Sequence, residues 1–295
     1  MNRRQFIEAS LATAAISSLP MSASAEMHQL DKIGVQLYTV RGAMKTDFAG
    51  TIAKVASLGY KEVEFAGYFD HSPKDIRALL DKNGLASPSC HVDYNTVQNK
   101  WPQAIEAAHT IGHQFIVCPW IDESQRQAPD GYKRAVELFN SAGATSKKAG
   151  VQFAYHNHYW EFEPDAHLGG KMPYDYMLEA GDKENFKMEM DLCWINVAGQ
   201  DPVAYFERYP GRFPLVHVKD MKKLPHVAPD KLATLKFDDI TANMADVGSG
   251  EIDWKRIFSH LGNSGVQHFY VEYDEPEDAF ASLTASFAYL SKLRF

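Results

Sequence analysis

Several apolar segments of this sequence end in histidine, acidic or lysine side chains that are spaced two residues apart. The clearest example is "VQFAYHNHYWEF" (residues 151–162), in which a segment suited to burial ends with His156 and His158 and continues to Glu161. Imidazole and carboxylate groups bind divalent cations and transfer protons. The pattern therefore predicts a metal site or an acid–base site, provided that the fold brings such segments together.

Five further apolar segments carry a pair of this kind. Side chains two apart on a β-strand point to the same face, so both members of a pair lie on one side. Burying so many charges without partners would cost several kcal/mol each, and a bound divalent cation removes that cost. The pairs are Glu62 and Glu64, His91 and Asp93, Glu189 and Asp191, His217 and Lys219, and Glu272 and Asp274.

The elements that must position these pairs are eight short apolar segments that alternate with helical patterns. Glycine follows several of the helical stretches, as is typical of helix C-caps. Eight β–α units predict an α/β protein with a single-domain (β/α)8 TIM barrel. An open doubly wound sheet is the alternative, but no glycine fingerprint follows the first strand. The predicted strands span residues 33–40, 61–67, 85–92, 113–120, 151–157, 186–192, 214–220 and 268–274.

Barrel enzymes carry their active-site residues at the C-terminal ends of the strands, which is where these polar pairs fall. We therefore predict a divalent metal site formed by one histidine of the "HNH" stretch together with Asp191, His217 and Glu272. Mixed nitrogen and oxygen donors suit Mn, Co, Zn or Fe better than Ca or Mg. A single aspartate at a strand end is more often a helix N-cap, so the prediction rests on the combination.

The first 25 residues have the features of an export signal, and the barrel is expected to span residues 26–295. Arg3 and Arg4 precede a weakly apolar stretch, and Ala23 and Ala25 supply the small residues of a cleavage site. The arginine pair predicts export by the twin-arginine machinery, cleavage after Ala25 and a periplasmic protein. The alternative is a disordered basic N-terminus that stays attached.

The bulk composition disfavours some classes of partner. The net charge is −8 and no Lys/Arg-rich block occurs, so nothing indicates a nucleic-acid surface. No other apolar run approaches the roughly 20 residues of a membrane-spanning helix, and no membrane anchor is predicted. Cys90, Cys118 and Cys193 are predicted to be buried free thiols rather than a disulfide scaffold.

Five motifs carry a resemblance to a known family. They are "GVQLYTVR" (34–41), "AYHNHYWEF" (154–162), "MDLCW" (190–194), "HVKD" (217–220) and "VEYDEP" (271–276). With them the chain resembles the xylose isomerase-like TIM barrel superfamily, which includes the sugar phosphate isomerases/epimerases and the endonuclease IV group. The resemblance covers essentially the whole chain after residue 25. It implies a divalent metal at the strand ends, with Asp191, His217 and Glu272 as ligands.

Two positions depart from the family patterns. Many isomerases and epimerases have a glutamate on the fifth strand that binds the metal and acts as a base, whereas this chain has His156 and His158. We favour His156 as the ligand, although the two share a side of the strand and the sequence leaves the choice open. Endonuclease-like members have a further histidine where this chain has Trp194, which disfavours a multi-zinc phosphodiesterase.

The chemistry that the resemblance implies is removal of a proton next to a sugar carbonyl. A bound metal polarises the carbonyl, a base removes the proton to give an enediolate, and return of the proton isomerises or epimerises the sugar. Expulsion of a neighbouring substituent makes the same site a lyase. The predicted bases are Glu161, Glu64 and His158, the predicted oxygen-binding or proton-donating group is Lys219, and the predicted substrate contacts are His91, Trp160 and Trp194.

The leading hypothesis is a metal-dependent isomerase or epimerase of an unphosphorylated sugar or keto-sugar that acts through an enediolate. A metal-dependent lyase or hydrolase of keto-sugar glycosides is the close alternative. A non-catalytic sugar-binding barrel is the alternative from another class. The long segment between the seventh and eighth strands is expected to cover the catalytic face. Whether two barrels pair into a homodimer stays open.

Overall fold

A computed structural model describes residues 28–295 and confirms the predicted α/β architecture, a closed (β/α)8 barrel. All eight predicted strands are present, each somewhat shorter than predicted, and the predicted export signal (residues 1–25) lies outside the described residues. The last strand closes the barrel by pairing Tyr270 with Gly34. The strands are β1 (Gly34–Gln36), β2 (Glu62–Phe65), β3 (Ala86–His91), β4 (Phe115–Cys118), β5 (Gln152–His156), β6 (Phe186–Asp191), β7 (Leu215–Val218) and β10 (His268–Val271), with β8 (Asp220–Met221) and β9 (Met244–Ala245) forming a separate antiparallel pair.

Helices alternate with the barrel strands along the chain. The predicted glycine C-caps are confirmed at Gly84 and Gly112, whose left-handed φ angles of 63° and 95° suit glycine. Within residues 28–295, no helix combines the length and the apolar composition that crossing a bilayer requires. The α-helices are α1 (Arg41–Thr46), α2 (Phe48–Ser57), α3 (Pro73–Asn83), α4 (Tyr94–Asn99), α5 (Trp101–Ile111), α6 (Glu123–Arg126), α7 (Gly131–Lys148), α8 (Pro173–Ala180), α9 (Leu192–Val197), α10 (Pro202–Arg208), α11 (Phe237–Thr241), α12 (Trp254–Ser259) and α13 (Ala279–Leu290), and the 3-10 helices are Leu37–Val40, Trp160–Phe162, Ala166–Leu168 and Pro229–Thr234.

The interior of the barrel contains an apolar plug beneath a polar layer. The plug is separate from the larger core that the helices share with the outer faces of the strands. Gly34 makes room for it, because a Cβ there would lie 2.6 Å from the ring of Tyr270. His156 and His217 are the next residues on the same face of β5 and β7, so the polar layer begins directly above the plug. The plug consists of Phe115, Val117, Ala154, Leu215 and Tyr270.

The chain between β7 and β10 forms the predicted insertion and is organised by one carboxylate. Asp220 accepts hydrogen bonds from the backbone N–H groups of Gly248 (2.9 Å) and Gly250 (3.3 Å) and from Nε1 of Trp254 (2.9 Å). The "VGSGEIDW" segment (247–254) is therefore fastened to the end of β7 as structural support. The insertion also carries Phe237, which lines the cavity described next.

Candidate active site

Polar side chains from the C-terminal ends of the strands meet at one cavity of about 580 Å³. Glu64, Glu189, Asp191 and His217 lie behind its lining and are fully buried. The convergence that the strand-end pairs predict is thus observed, except for Glu62, which lies at the start of β2 and bonds His268 instead. The lining side chains that carry charge or an imidazole are His91, Asp93, Lys100, His156, His158, Lys219, Glu272, Asp274 and Glu275.

One oxygen of Glu189 contacts three histidines. Its Oε2 lies 2.7 Å from Nε2 of His91, 3.1 Å from Nδ1 of His156 and 3.2 Å from Nε2 of His217. Glu64 adds a second carboxylate, with Oε2 at 3.1 Å from Nε2 of His91 and 2.7 Å from Nε2 of His217. Because carboxylates accept hydrogen bonds, these ring nitrogens are donors, and the opposite nitrogens of His156 and His217 are left for other partners.

Those opposite nitrogens face two further carboxylates. Nε2 of His156 lies 3.8 Å from Oδ2 of Asp191, and Nδ1 of His217 lies 4.0 Å from that oxygen and 2.8 Å from Oε2 of Glu272. Donors that share one tetrahedral ion at about 2.1 Å are about 3.4 Å apart. Asp191, His217 and Glu272, three of the residues predicted as ligands, thus have ligand atoms within 4.8 Å of one another, whereas His156 groups at that spacing with His91, Glu189 and His217.

Asp191 uses its two oxygens for different purposes. Oδ1 accepts hydrogen bonds from the backbone N–H groups of Cys193 (2.8 Å) and Trp194 (2.7 Å), and so caps helix α9. Oδ2 is buried without a hydrogen bond among the described residues. The N-cap interpretation and the metal-ligand interpretation of Asp191 are therefore compatible, since each needs only one oxygen.

The ammonium group of Lys219 lies among three carboxylates. Nζ is 2.7 Å from Oε2 of Glu272, 3.1 Å from Oδ2 of Asp191 and 3.1 Å from Oδ1 of Asp274. Burial by itself lowers the pKa of Lys219, but these carboxylates hold that pKa well above its usual value, so the amine is charged at neutral pH. Burial raises the pKa of Asp274 to about 6, although Lys219 opposes this. Lys219 is thus both ion-paired and part of the cavity lining.

Three histidines of the cluster differ in protonation. Burial lowers the pKa of His91, but the neighbouring carboxylates outweigh it and raise that pKa to about 9. Burial also opposes protonation of His217, whose pKa is nevertheless held well above its usual value by Glu189 and Glu272. Burial, together with the charge on His217, lowers the pKa of His156 well below its usual value. His156 is therefore neutral, which is the form of imidazole that binds metals.

The aromatic residues near the site are arranged differently from the prediction. His158 lines the cavity, whereas Trp160 stacks behind it with ring centroids 4.2 Å apart, and Trp194 is fully buried against Phe237. Burial lowers the pKa of His158 well below its usual value, so this imidazole is neutral, and its buried Nδ1 has no hydrogen-bond partner among residues 28–295. The tryptophan that lines the cavity is Trp120, which the sequence analysis did not select.

Glu161 lies outside the cavity lining and is fully buried. Its Oε1 accepts a hydrogen bond from the hydroxyl of Tyr155 and its Oε2 from the backbone N–H of His158, both at 2.7 Å. Burial raises the pKa of this carboxyl, and the two hydrogen bonds oppose that rise. The geometry suits a residue that holds the turn after β5 in place, while the predicted role as a base stays a prediction.

Replacing Glu161 with glutamine tests these two roles. The amide can accept only one of the two hydrogen bonds, so we expect the free energy of unfolding to fall by about 1–3 kcal/mol. Metal content and turnover should be retained. Urea unfolding and elemental analysis measure this, with Glu163→Gln, a partly exposed neighbour, as the control. A catalytic loss of about a hundredfold or more in folded, metal-loaded protein would instead make Glu161 a catalytic base.

The sequence analysis did not assign Glu189 to the site, although it recognised the pair that Glu189 forms with Asp191. Side chains two residues apart on a strand point to the same face, so the spacing of Glu189 and Asp191 already indicated that both lie on the inner face of β6. Glu189 holds His156 and His217 in the orientation that leaves a nitrogen of each toward Asp191. Its function in the cluster is to position the two histidines.

We expect Glu189→Gln to weaken metal binding roughly 10- to 100-fold without unfolding the protein, because the histidines lose a charged acceptor that orients them. The measurement is a competition titration of Zn²⁺ or Mn²⁺ against a chelator of known affinity. Glu62→Gln is the matched control, since Glu62 is also a buried glutamate inside the barrel but bonds His268 instead. Equal metal affinity in the Glu189 variant and the wild type would contradict the positioning role.

The closed parallel barrel with histidine and carboxylate donors at its C-terminal ends defines the class of protein. The chain belongs to the xylose isomerase-like TIM barrel family, which matches residues 52–292. The inosose dehydratase of Clostridium perfringens (strain 13) is 25% identical over 258 residues, which cover 80% of this chain and 84% of that protein. The inosose dehydratase of Lacticaseibacillus casei is 21% identical over 257 residues, with 80% and 84% covered.

The fold is also similar to solved structures. A sugar phosphate isomerase/epimerase from Parabacteroides distasonis superposes with a TM-score of 0.70 and 25% sequence identity, over 92% of this chain and 95% of that one. The structural likeness and the family match agree with the resemblance inferred from the five motifs.

Proposed function

We propose that this protein is a metal-dependent lyase that removes a proton next to the carbonyl of an unphosphorylated keto-sugar and expels a substituent one carbon further on. The observation that carries the proposal is that a group of side chains able to hold a cation lies at and directly behind the lining of a cavity that Lys219 and His158 also line. Relatives named as dehydratases support an enzyme in the broad sense and an elimination in particular.

The residues present fit a divalent cation. The proposed ligands are Nε2 of His156, Oδ2 of Asp191, Oε2 of Glu272 and Nδ1 of His217, and His217 would release the proton from this nitrogen when the cation binds. Oδ2 of Asp191 is a buried carboxylate oxygen that lacks a hydrogen bond among the described residues, and its charge is balanced by the ammonium group of Lys219, 3.1 Å away, which a cation would share or displace. When bound, the cation supplies a Lewis acid that polarises the carbonyl group of the substrate.

An elimination needs one group that accepts a proton and one that donates a proton, and we assign these roles to His158 and Lys219. The neutral imidazole of His158, which lines the cavity, accepts the proton from the carbon next to the carbonyl, and the electron pair left behind forms the new carbon–carbon double bond. The bond to the leaving oxygen breaks, and the ammonium group of Lys219 gives that oxygen a proton. One base and one acid suffice, which suits a chain that has His156 where related isomerases and epimerases have a glutamate.

An isomerase or epimerase remains the second candidate, and the likeness to a sugar phosphate isomerase/epimerase supports it. Both reactions begin with the same proton removal and differ in the product. We therefore incubate protein loaded with Mn, Co, Zn or Fe with an inosose and a panel of keto-hexoses in ²H₂O. Proton NMR detects exchange next to the carbonyl, and an unsaturated product distinguishes a lyase from an isomerase, which yields a new sugar. Absence of exchange with every metal and sugar would leave a non-catalytic sugar-binding barrel.

We also propose that the protein is exported by the twin-arginine machinery and acts in the periplasm, on the basis of residues 1–25. The experiment is cell fractionation with N-terminal sequencing. We expect a periplasmic chain that starts at Glu26, and retention in the cytoplasm when Arg3 and Arg4 are both changed to lysine. Cytoplasmic wild-type protein that still starts near Met1 would refute the proposal.

A further inference from the structure

A second cavity, of about 700 Å³, adjoins the first at the C-terminal end of the barrel. The two cavities share Trp120 and Phe237 as a common wall. Between them lies the stacked pair of His158, which lines the first cavity, and Trp160, which lines the second. A molecule that extended past Trp120 would therefore pass from the proposed catalytic residues directly into the second cavity.

The wall between the cavities is aromatic and exposed. In the described part of the chain, the exposed large hydrophobic side chains are Tyr38, Trp120 and Phe237, which are 36%, 46% and 39% exposed. All three line the first cavity, and Trp120 and Phe237 also line the second. Exposed aromatic side chains gathered at one opening indicate a binding surface rather than scattered surface residues.

The second cavity also offers polar groups suited to hydroxyls. The guanidinium of Arg126 lies 4.6 Å from the ring centroid of Trp160 and has no ion-pair partner among residues 28–295, so its N–H donors are available. Gln127, Glu163 and Asp165 add acceptors to the lining. Aromatic faces with a few polar groups of both kinds match the surface of a sugar ring, which has apolar C–H faces and a hydroxyl rim.

We propose that the second cavity is a subsite for a further sugar unit, so that the substrate is a glycoside and not a single sugar. This inference rests on the proposed function for the identity of the reacting ring. In the elimination described above, the leaving oxygen is then the glycosidic oxygen: its bond to the keto-sugar breaks, Lys219 protonates it, and the second sugar departs as an alcohol. No other reactant is required.

The test is calorimetric binding of unreactive probes to the intact, metal-loaded protein. The probes are glucose and four disaccharides, namely maltose, cellobiose, trehalose and sucrose, so that several linkages are covered. We expect at least one disaccharide to bind about tenfold or more tightly than glucose. Equal or weaker binding of every disaccharide, or no disaccharide binding at all, would overturn the proposal.

Two variants show which cavity is responsible. Ala233→Trp fills the second cavity from an exposed position, and Arg126→Met removes the free donors; both should abolish the disaccharide preference and leave glucose binding unchanged. Ala242→Trp is the matched control, since it is an exposed alanine of the same insertion that lines neither cavity. A preference that survives Ala233→Trp would contradict the assignment.

The outcome is separable from that of the proposed function. Disaccharide preference without proton exchange on any keto-sugar or keto-sugar glycoside would uphold the subsite and refute the lyase. Proton exchange on a single keto-sugar without disaccharide preference would uphold the enzyme and refute the subsite.

Discussion

Replacing Asp191 with asparagine is expected to remove the metal and stop turnover while keeping the barrel folded, since Lys219 loses one of its three carboxylate partners and keeps Glu272 and Asp274. The asparagine oxygen can still accept the N–H groups of Cys193 and Trp194, because asparagine is as good an N-cap as aspartate. The oxygen that faces His156, His217 and Lys219 is replaced by an amide NH₂, which is a donor and not a ligand. The loss of metal affinity should exceed the roughly 10- to 100-fold expected when a group that only orients a ligand is removed.

Elemental analysis after loading with Mn, Co, Zn or Fe measures this effect, and thermal unfolding of the metal-free proteins shows whether the cap has survived. Asp278→Asn is the matched control, because Asp278 caps helix α13 by accepting the N–H groups of Phe280 and Ala281 and belongs neither to the cavity lining nor to the candidate ligands. Wild-type protein should hold about one ion per chain, as the control should. A full complement of metal in Asp191→Asn would show that the cation, if bound, does not use this oxygen.

Replacing Lys219 with methionine is expected to lower the free energy of unfolding of the metal-free protein by about 3–5 kcal/mol and to abolish elimination. Nζ of Lys219 is the positive charge that Glu272, Asp191 and Asp274 share in a fully buried setting. Removing one member of a buried ion pair leaves uncompensated charge, which costs far more than losing a surface pair. Elimination should stop because the variant lacks the ammonium group that is proposed to protonate the leaving oxygen.

Urea unfolding in the presence of a chelator, and again with saturating metal, measures the stability effect. We expect bound metal to restore part of the loss, because a divalent cation neutralises the same carboxylates. Lys171→Met is the control: Lys171 pairs with Glu179 at the surface, where the contribution is about 0–1 kcal/mol. An unchanged unfolding midpoint in metal-free Lys219→Met would contradict the buried-charge argument.

The prediction of the barrel from sequence succeeded because parallel strands covered on both faces need apolar segments of similar length, separated by helices. The same reasoning indicated where polar side chains gather, since side chains two residues apart on a strand share a face and this places Glu189 with Asp191 on the inner face of β6. These relations are local, and each can be evaluated from a few neighbouring residues. They required no knowledge of which strand lies next to which.

The sequence was less informative about the side chains in the loops that follow the strands. Trp160 and Glu161 follow β5 in a 3-10 turn, where side-chain direction no longer alternates, and only the fold turned Glu161 toward Tyr155 instead of the cavity. Trp194 was predicted to contact substrate but packs against Phe237. Phe237 belongs to the insertion between β7 and β10 and lies some forty residues later in the sequence. Trp120 instead lines the cavity.

The sequence by itself determined the α/β barrel and the end of the barrel that carries the polar layer, because these follow from apolar length and from alternation along single strands; its ligand set stays a prediction, with the choice between His156 and His158 open. Only the tertiary structure decided which nitrogen of His156 and His217 faces Asp191, which carboxylates surround Lys219 and how the two cavities share a wall. These features depend on distances between atoms of different strands and loops, and such distances are set by packing and not by the order of residues along the chain.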